Sequence, residues 1–478
     1  MQRRDFLKAL SLSGLASPFY LSSGLLGLGS LASTSANASP ISSRQVVQIT
    51  LDGGPDLRHL ITPLPSSTFG KSFWKNHFTA HELRNGNTDT VQTYWDENYD
   101  AVTLSGQTFG ILKKAGWLTQ QINRGKVGII SNVLGSPSRN HVRSLMALDY
   151  GRWDTESTAL LGSGWGGRLA AEHTTGRVIS LTSTPRNFCF GPSDTNLDRR
   201  ARSDNLITLE DSRAAGLFDH RLHDDINEQH WRAVLSRAQA SYYGSLQSKR
   251  TELPDHLQLL LDHERELRNL AENLDSILSS NPLPEGLANL DLEKNFHRQI
   301  TTLYDLLNHT GGLLNMKVAS LGLGSWDSHK HQADMIEPLL NTLFGNDQGL
   351  DMLTRHLSSS VKNNTVFMLS GEFGRQIRSN GDQGTDHGEG NYMLVIGEQV
   401  NGGLYGELFP NEEIARLEDT SVATPHIEGK TSLEHPFKAL ADWSLGRDSG
   451  TQVITRSLGD PQVTPRESGV SFAGLLPT

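Results

Sequence analysis

The sequence predicts an α/β fold: a mainly parallel sheet covered by helices on both faces, a three-layer α/β/α sandwich, carrying an all-helical insertion. Three observations predict it. Apolar runs of strand length recur along the chain, helical patterns separate several of them, and one long stretch sets leucines at helical spacing among charged residues. In chain order, Val46 to Leu51 is a β-rich run that stops in the turn Asp52-Gly53-Gly54-Pro55-Asp56. Phe109 to Asn123 reads as helix, and Lys126 to Val133 and Arg177 to Leu181 read as strands. Between 224 and 315, Leu257, Leu260, Leu261, Leu267, Leu270, Leu274, Ile277 and Leu278 define the helical insertion. Pro282 and Pro284 divide it into two arms, the second running from about Leu287 to Leu314. Met316 to Leu323, Thr365 to Ser370 and Tyr392 to Ile396 follow as strands, with a helical pattern from His331 to Leu357. From about Asn411 the chain turns polar and Pro-containing and is expected to wrap the surface.

Ahead of the first strand, Gln2-Arg3-Arg4-Asp5-Phe6-Leu7-Lys8 resembles the twin-arginine export consensus. An apolar stretch diluted by Ser and Gly and broken by Pro18 follows, too weak for a stable membrane span. Ser35-Ala36-Asn37-Ala38 supplies a small-x-small cleavage site. The expected organisation is a signal peptide over 1–38, α/β sequence over 39–223, the insertion over 224–315, and α/β sequence with the tail over 316–478. The twin-arginine translocase is then the export partner, and the mature protein is periplasmic or secreted. Folded export usually accompanies a cofactor loaded in the cytoplasm, so a metal or other cofactor is expected.

The chain carries 43 basic and 53 acidic residues, a formal charge of −10. An acidic surface argues against nucleic acid or anionic lipid as the main partner. With Cys189 the one cysteine, no intramolecular disulfide can form and a metal site must draw on His and carboxylates. Three segments place such residues directly after predicted strands, where open α/β sheets build their sites. They are Asp52 to Asp56, Trp326-Asp327-Ser328-His329-Lys330-His331, and Gly371-Glu372-Phe373-Gly374-Arg375; a fourth, Gly384-Thr385-Asp386-His387-Gly388, lies in a Gly-rich loop. Carboxylate oxygens mixed with imidazole nitrogens suit one or two divalent ions, whether zinc, manganese, calcium or magnesium. On a helix Asp327 and His331 share a face; on an extended segment Asp327, His329 and His331 do. Each residue alone has an ordinary structural use, as a turn or helix cap or a local hydrogen-bonded pair. Four clusters of one ligand chemistry shift the reading toward metal. His77, His81, His220, His223, His297 and His309 read as structural or exposed.

These motifs, with Ser138-Arg139-Asn140-His141, are similar to those of the domain-of-unknown-function 1501 family, which is placed in the alkaline phosphatase-like superfamily with phosphatases and sulfatases. The resemblance spans nearly the whole mature chain. It implies an alkaline phosphatase-like sandwich, a small-molecule or polysaccharide ester as substrate, and a metal held by Asp52 or Asp56, Asp327, His329 or His331, Glu372 and His387. Relatives commonly carry Ser where this chain has Asn140, and Asn cannot act as a covalent nucleophile. Ser138 is the expected substitute, at the start of a helix whose N-terminus favours an oxyanion. Arg139 or Arg375 is the expected clamp for the ester oxygens, because a guanidinium fork matches phosphate and sulfate. Two functions are thus in view: a phosphate- or sulfate-ester hydrolase, or a non-catalytic exported metal-binding or scaffold protein using its helical insertion to bind a partner.

Overall fold

The computed structural model describes residues 43–136, 138–152, 162–173, 175–192, 205–213, 254–310, 313–448, 450–455 and 470–477, with short pieces between 241 and 249. The expected signal peptide and residues 224–240 lie outside the described residues. The strands are β1 (Gln45–Leu51), β2 (Ile61–Pro63), β3 (Tyr99–Leu104), β4 (Gln107–Leu112), β5 (Val127–Leu134), β6 (Arg177–Ser180), β7 (Leu206–Thr208), β8 (Met316–Leu323), β9 (Thr365–Ser370), β10 (Asn391–Ile396), β11 (Gly403–Tyr405) and β12 (Thr431–Ser432). Nine of them form one sheet in the order β11-β5-β10-β9-β1-β8-β6-β7, with β12 also on β5. β1 sits between β9 and β8 and is parallel to both, and β10 alone runs against its neighbours. The fold is therefore mixed α/β with a mainly parallel sheet.

Side chains alternate across β1, so Val47, Ile49 and Leu51 enter one apolar core and Val46 the other. Burial on both faces is why the runs in β1, β5, β9 and β10 read as nearly continuous apolar sequence. Helix Asn295–His309 lines the first core with Phe296, Ile300 and Leu303, and Gln299 brackets Gly322 at the end of β8 with two hydrogen bonds. The described helices of the expected insertion, Asp255–Ser279, Glu285–Ala288 and Asn295–His309, are thus continuous with the main core, into which Leu274 and Leu287 also pack.

Three local expectations are corrected. Phe109 belongs to β4, part of a small antiparallel sheet β2-β4-β3, and the helix begins only at Gly116. The pattern from His331 to Leu357 divides into helices Gln332–Phe344 and Gly349–His356, with Gly345 in extended conformation at the break. The segment after Asn411 does not simply wrap the surface. It forms helix Asn411–Glu418, adds β12 to β5, and buries Phe437, Leu440 and Trp443 of helix Glu434–Leu445 in the second core. Each such side chain, fully buried, stabilises by about 1.5–3 kcal/mol.

Because β1, β5, β8 and β9 point the same way, the segments that follow them emerge at one edge of the sheet. That edge holds three of the four Asp, Glu and His segments singled out in the sequence, and the fourth enters β10 from the same side.

Candidate functional site

The turn after β1 has no room for side chains. Gly53 has φ +124°, and a Cβ there would lie 2.5 Å from the backbone nitrogen of Asp327; at Gly54, with φ +68°, it would strike the Phe373 ring at 2.3 Å. The close approach lets the Gly53 amide donate to both carboxylate oxygens of Glu372, at 3.0 and 3.2 Å. Glu372 is fully buried, and its Oε1 also faces Nδ1 of His141 at 2.8 Å. His141 opens helix His141–Tyr150 after β5, with Asn140 as its N-cap.

Four side chains converge beyond Glu372. Asp327 Oδ1 lies 3.0 Å from Nε2 of both His387 and His329, and its Oδ2 lies 3.6 Å from Nε2 of His141. The two nitrogens of His329 and His387 are themselves 3.1 Å apart. Each imidazole turns its other nitrogen to an oxygen: His141 to Glu372, His329 to Asp386 at 2.9 Å, and His387 to the Arg139 carbonyl at 3.0 Å. A carbonyl or ionised carboxylate has no proton to give, so each Nδ1 carries a proton, and in the neutral ring Nε2 is left with the lone pair. With a ring protonated, its Nε2–H donates to Asp327; with the rings neutral, three lone pairs and a carboxylate face one another, a set that a cation satisfies. His141, Asp327 and His387 bring one ligand atom each within 4.8 Å of one another, the one such group among the described residues.

The charges follow from the contacts. Burial opposes ionisation of Asp327, yet hydrogen bonds from His387 and Arg375 outweigh it and hold the carboxyl down at about 2. Burial, joined by the Arg375 charge, pushes His387 below its ordinary value against the pull of Asp327. Asp386 is also lowered, its hydrogen bonds from His329 and Asn380 overcoming desolvation. A lowered His387 beside an ionised Asp327 is the protonation state a divalent ion requires of those two ligands.

The structure brings together Asp327, His329, Glu372 and His387 from the sequence expectations and adds His141. The sequence held a signal for His141, since it ends the Ser138-Arg139-Asn140-His141 motif after a strand.

The remaining expected residues are placed differently. Asp52 meets Arg186 at 2.5 Å, and Arg186 also holds buried Asp149 at 3.0 Å. Asp56 is 5% exposed and contacts His77, Gln332 and the Arg58 amide rather than the cluster. His331 is exposed, with φ +44° at the start of helix Gln332–Phe344; that left-handed turn separates it from His329. Arg375 is buried and commits its guanidinium to Asp327 and the carbonyls of Gly53, Gly54, Thr385 and Trp326, so it ties the loops together instead of offering a free fork to an ester. Arg139 faces the His426 ring at 2.9 Å. Ser138 Oγ accepts from the Asn140 amide at 3.1 Å, three residues ahead of the helix's first residue.

Fold and site together define an α/β protein with a histidine–carboxylate cluster at the carboxyl edge of a mainly parallel sheet. Residues 313–433 match the family described as "Protein of unknown function (DUF1501)". The matched span contains β8, β9 and β10 and the cluster residues Asp327, His329, Glu372 and His387, whereas His141 lies ahead of it. Comparison with curated proteins gives no match.

Proposed function

We propose that this is an exported divalent-metal protein of the alkaline phosphatase-like superfamily that hydrolyses a phosphate or sulfate ester. The observation that carries the metal reading is the convergence of three Nε2 atoms on the Asp327 carboxylate. His141, His329, His387 and Asp327 would hold the ion, a donor set suited to zinc or manganese. Glu372, Asp386 and the Arg139 carbonyl orient the imidazoles through their Nδ1 protons, an arrangement common around metal-bound histidines. When bound, the ion would polarise an ester oxygen and make water more acidic. The N-terminus of helix His141–Tyr150, which carries His141 into the cluster, favours an anionic substrate, and Ser138 lies three residues ahead of it in the chain. Support for export comes from Arg3-Arg4 and the segment after them.

The test is turnover. Purified protein loaded with zinc, manganese, calcium or magnesium should release product from an aryl phosphate or aryl sulfate, and Ser138→Ala should abolish this while keeping its metal. Wild type that binds metal yet turns over neither ester would sink the hydrolase. It would leave the second reading, a non-catalytic metal-binding or scaffold protein. That reading is favoured by Asn140, whose side chain caps a helix, and by Arg375, whose guanidinium is committed to the protein's own loops.

A further inference from the structure

Two loops supply most of the cluster: residues 327–329, with Ser328 between Asp327 and His329, and residues 385–387, with Thr385 just ahead of Asp386 and His387. Beneath them lies Gln332, fully buried. Its Oε1 accepts from Thr385 Oγ1 at 2.6 Å and from Ser328 Oγ at 3.2 Å, and its Nε2 donates to Asp56 Oδ2 at 2.8 Å. The loops also meet directly, through the Thr385 amide and the Ser328 carbonyl at 3.2 Å. Ser328 and Thr385 are both fully buried, so water does not compete for these bonds.

We propose that Gln332, oriented by Asp56, is a positioning residue that sets the spacing between the loop of Asp327 and His329 and the loop of His387. A glutamine amide presents a donor and an acceptor on one rigid plane, and which end faces which way must be decided by its neighbours. Asp56 decides it. Burial opposes its ionisation, but His77, His59 and Gln332 hold its carboxyl at about 2, so near neutral pH it only accepts. Nε2 must therefore turn to Asp56, and Oε1 is left to take both hydroxyl protons. One buried carboxylate thereby fixes an amide that links the two ligand-bearing loops. The inference rests on the cluster being a divalent-metal site, where small errors in ligand placement cost affinity.

The experiment uses the whole mature protein stripped of metal, with zinc affinity measured against a chromophoric chelator and cobalt(II) absorption reporting coordination geometry. Gln332→Met should weaken zinc binding by about tenfold, at the low end of effects seen for groups outside the ligands themselves, and should shift the cobalt band. Gln332→Glu should do the same by setting two carboxylates face to face. The double change Asp56→Asn with Gln332→Glu reverses donor and acceptor and should restore both readings, because the introduced carboxylate still accepts from Ser328 and Thr385. Thr385→Val, close in shape, gives an independent arm if Gln332→Met does not fold. Should the folded variants bind zinc and colour cobalt as wild type does, Gln332 is structural only and the inference falls while the metal site stands. If wild type takes up neither ion, the metal reading falls and this inference falls with it.

Discussion

Among the described residues, two groups of three histidines with carboxylates stand out, and they differ in almost everything except composition. In the first, His141, His329 and His387 surround Asp327 with side-chain exposures between 21% and 44%, and all three Nε2 atoms aim at one carboxylate. In the second, His59, His77 and His81 are buried beside Asp56 and Glu337, with His59 stacked on His81 at 4.1 Å. There each acid has its own imidazole, Glu337 with His59 at 3.0 Å and Asp56 with His77 at 3.1 Å. His81 is driven well below its ordinary value by burial first and by the neighbouring His59 and His77 second. Residue type alone does not make a candidate metal site. Converging ligand atoms and access from solvent do.

The comparison breaks first at Asp327. Asp327→Ala should lose metal binding, and with it the stabilisation of about 4 kcal/mol that wild type gains from zinc at a thousand times its Kd. Thermal unfolding with and without zinc checks this; a variant still stabilised by zinc would remove Asp327 from the ligands.

The buried group should answer in stability alone. Glu337→Ala leaves His59 without its carboxylate and should cost about 3 kcal/mol, as breaking a buried pair does, while zinc stoichiometry stays at the wild-type value. Loss of metal from this variant would show that the two groups act as one.

Acid sharpens the contrast. Unfolded His81 takes a proton near pH 6.5, whereas folded His81 resists until far lower, so between those values the unfolded state binds more protons and stability rises with pH. Acidification below about 6.5 should therefore cost up to roughly 1.4 kcal/mol per pH unit, and His81→Leu should flatten that slope. Asp56 and Glu337, both held at about 2, add stability above their unfolded values that is lost only as pH falls from about 4 toward 2. Urea titrations at pH 7, 5 and 3 separate the two windows, and an unchanged slope in His81→Leu would refute the assignment.

The smallest effect is expected at Asn140. Removing its N-cap in Asn140→Ala should lower stability by about 1 kcal/mol and leave zinc affinity intact. A large drop in affinity would mean that the cap holds His141 in place for the metal.

Local pattern made much of the fold legible. β1, β5, β6, β8, β9 and β10 were each visible as apolar runs, because a strand buried on both faces needs little beyond its own composition to declare itself. β11 and β12, of three and two residues, carry no such signal and exist only because β5 offers them an edge. The small sheet β2-β4-β3 was hidden because Phe109 and Leu112, three apart, fit a helix while Phe109 and Ile111, two apart, fit a strand, and only pairing with β2 and β3 decides between them. The helix Glu434–Leu445 was obscured by polar flanking sequence, although Phe437, Leu440 and Trp443 lie on its buried face.

By itself the sequence determined the α/β class and the chemistry available at the strand ends, since both depend on neighbours along the chain. Tertiary structure alone decided which residues share a centre. It turned Asp52 to Arg186, sank Asp56 beneath the loops, swung His331 outward through a left-handed turn and brought in His141 from the helix that follows β5. The physical reason is range: a capping residue or an apolar run is recognised within a few positions, whereas a site of converging lone pairs requires atoms from β5, β8, β9 and the loop before β10 to meet within a few ångströms.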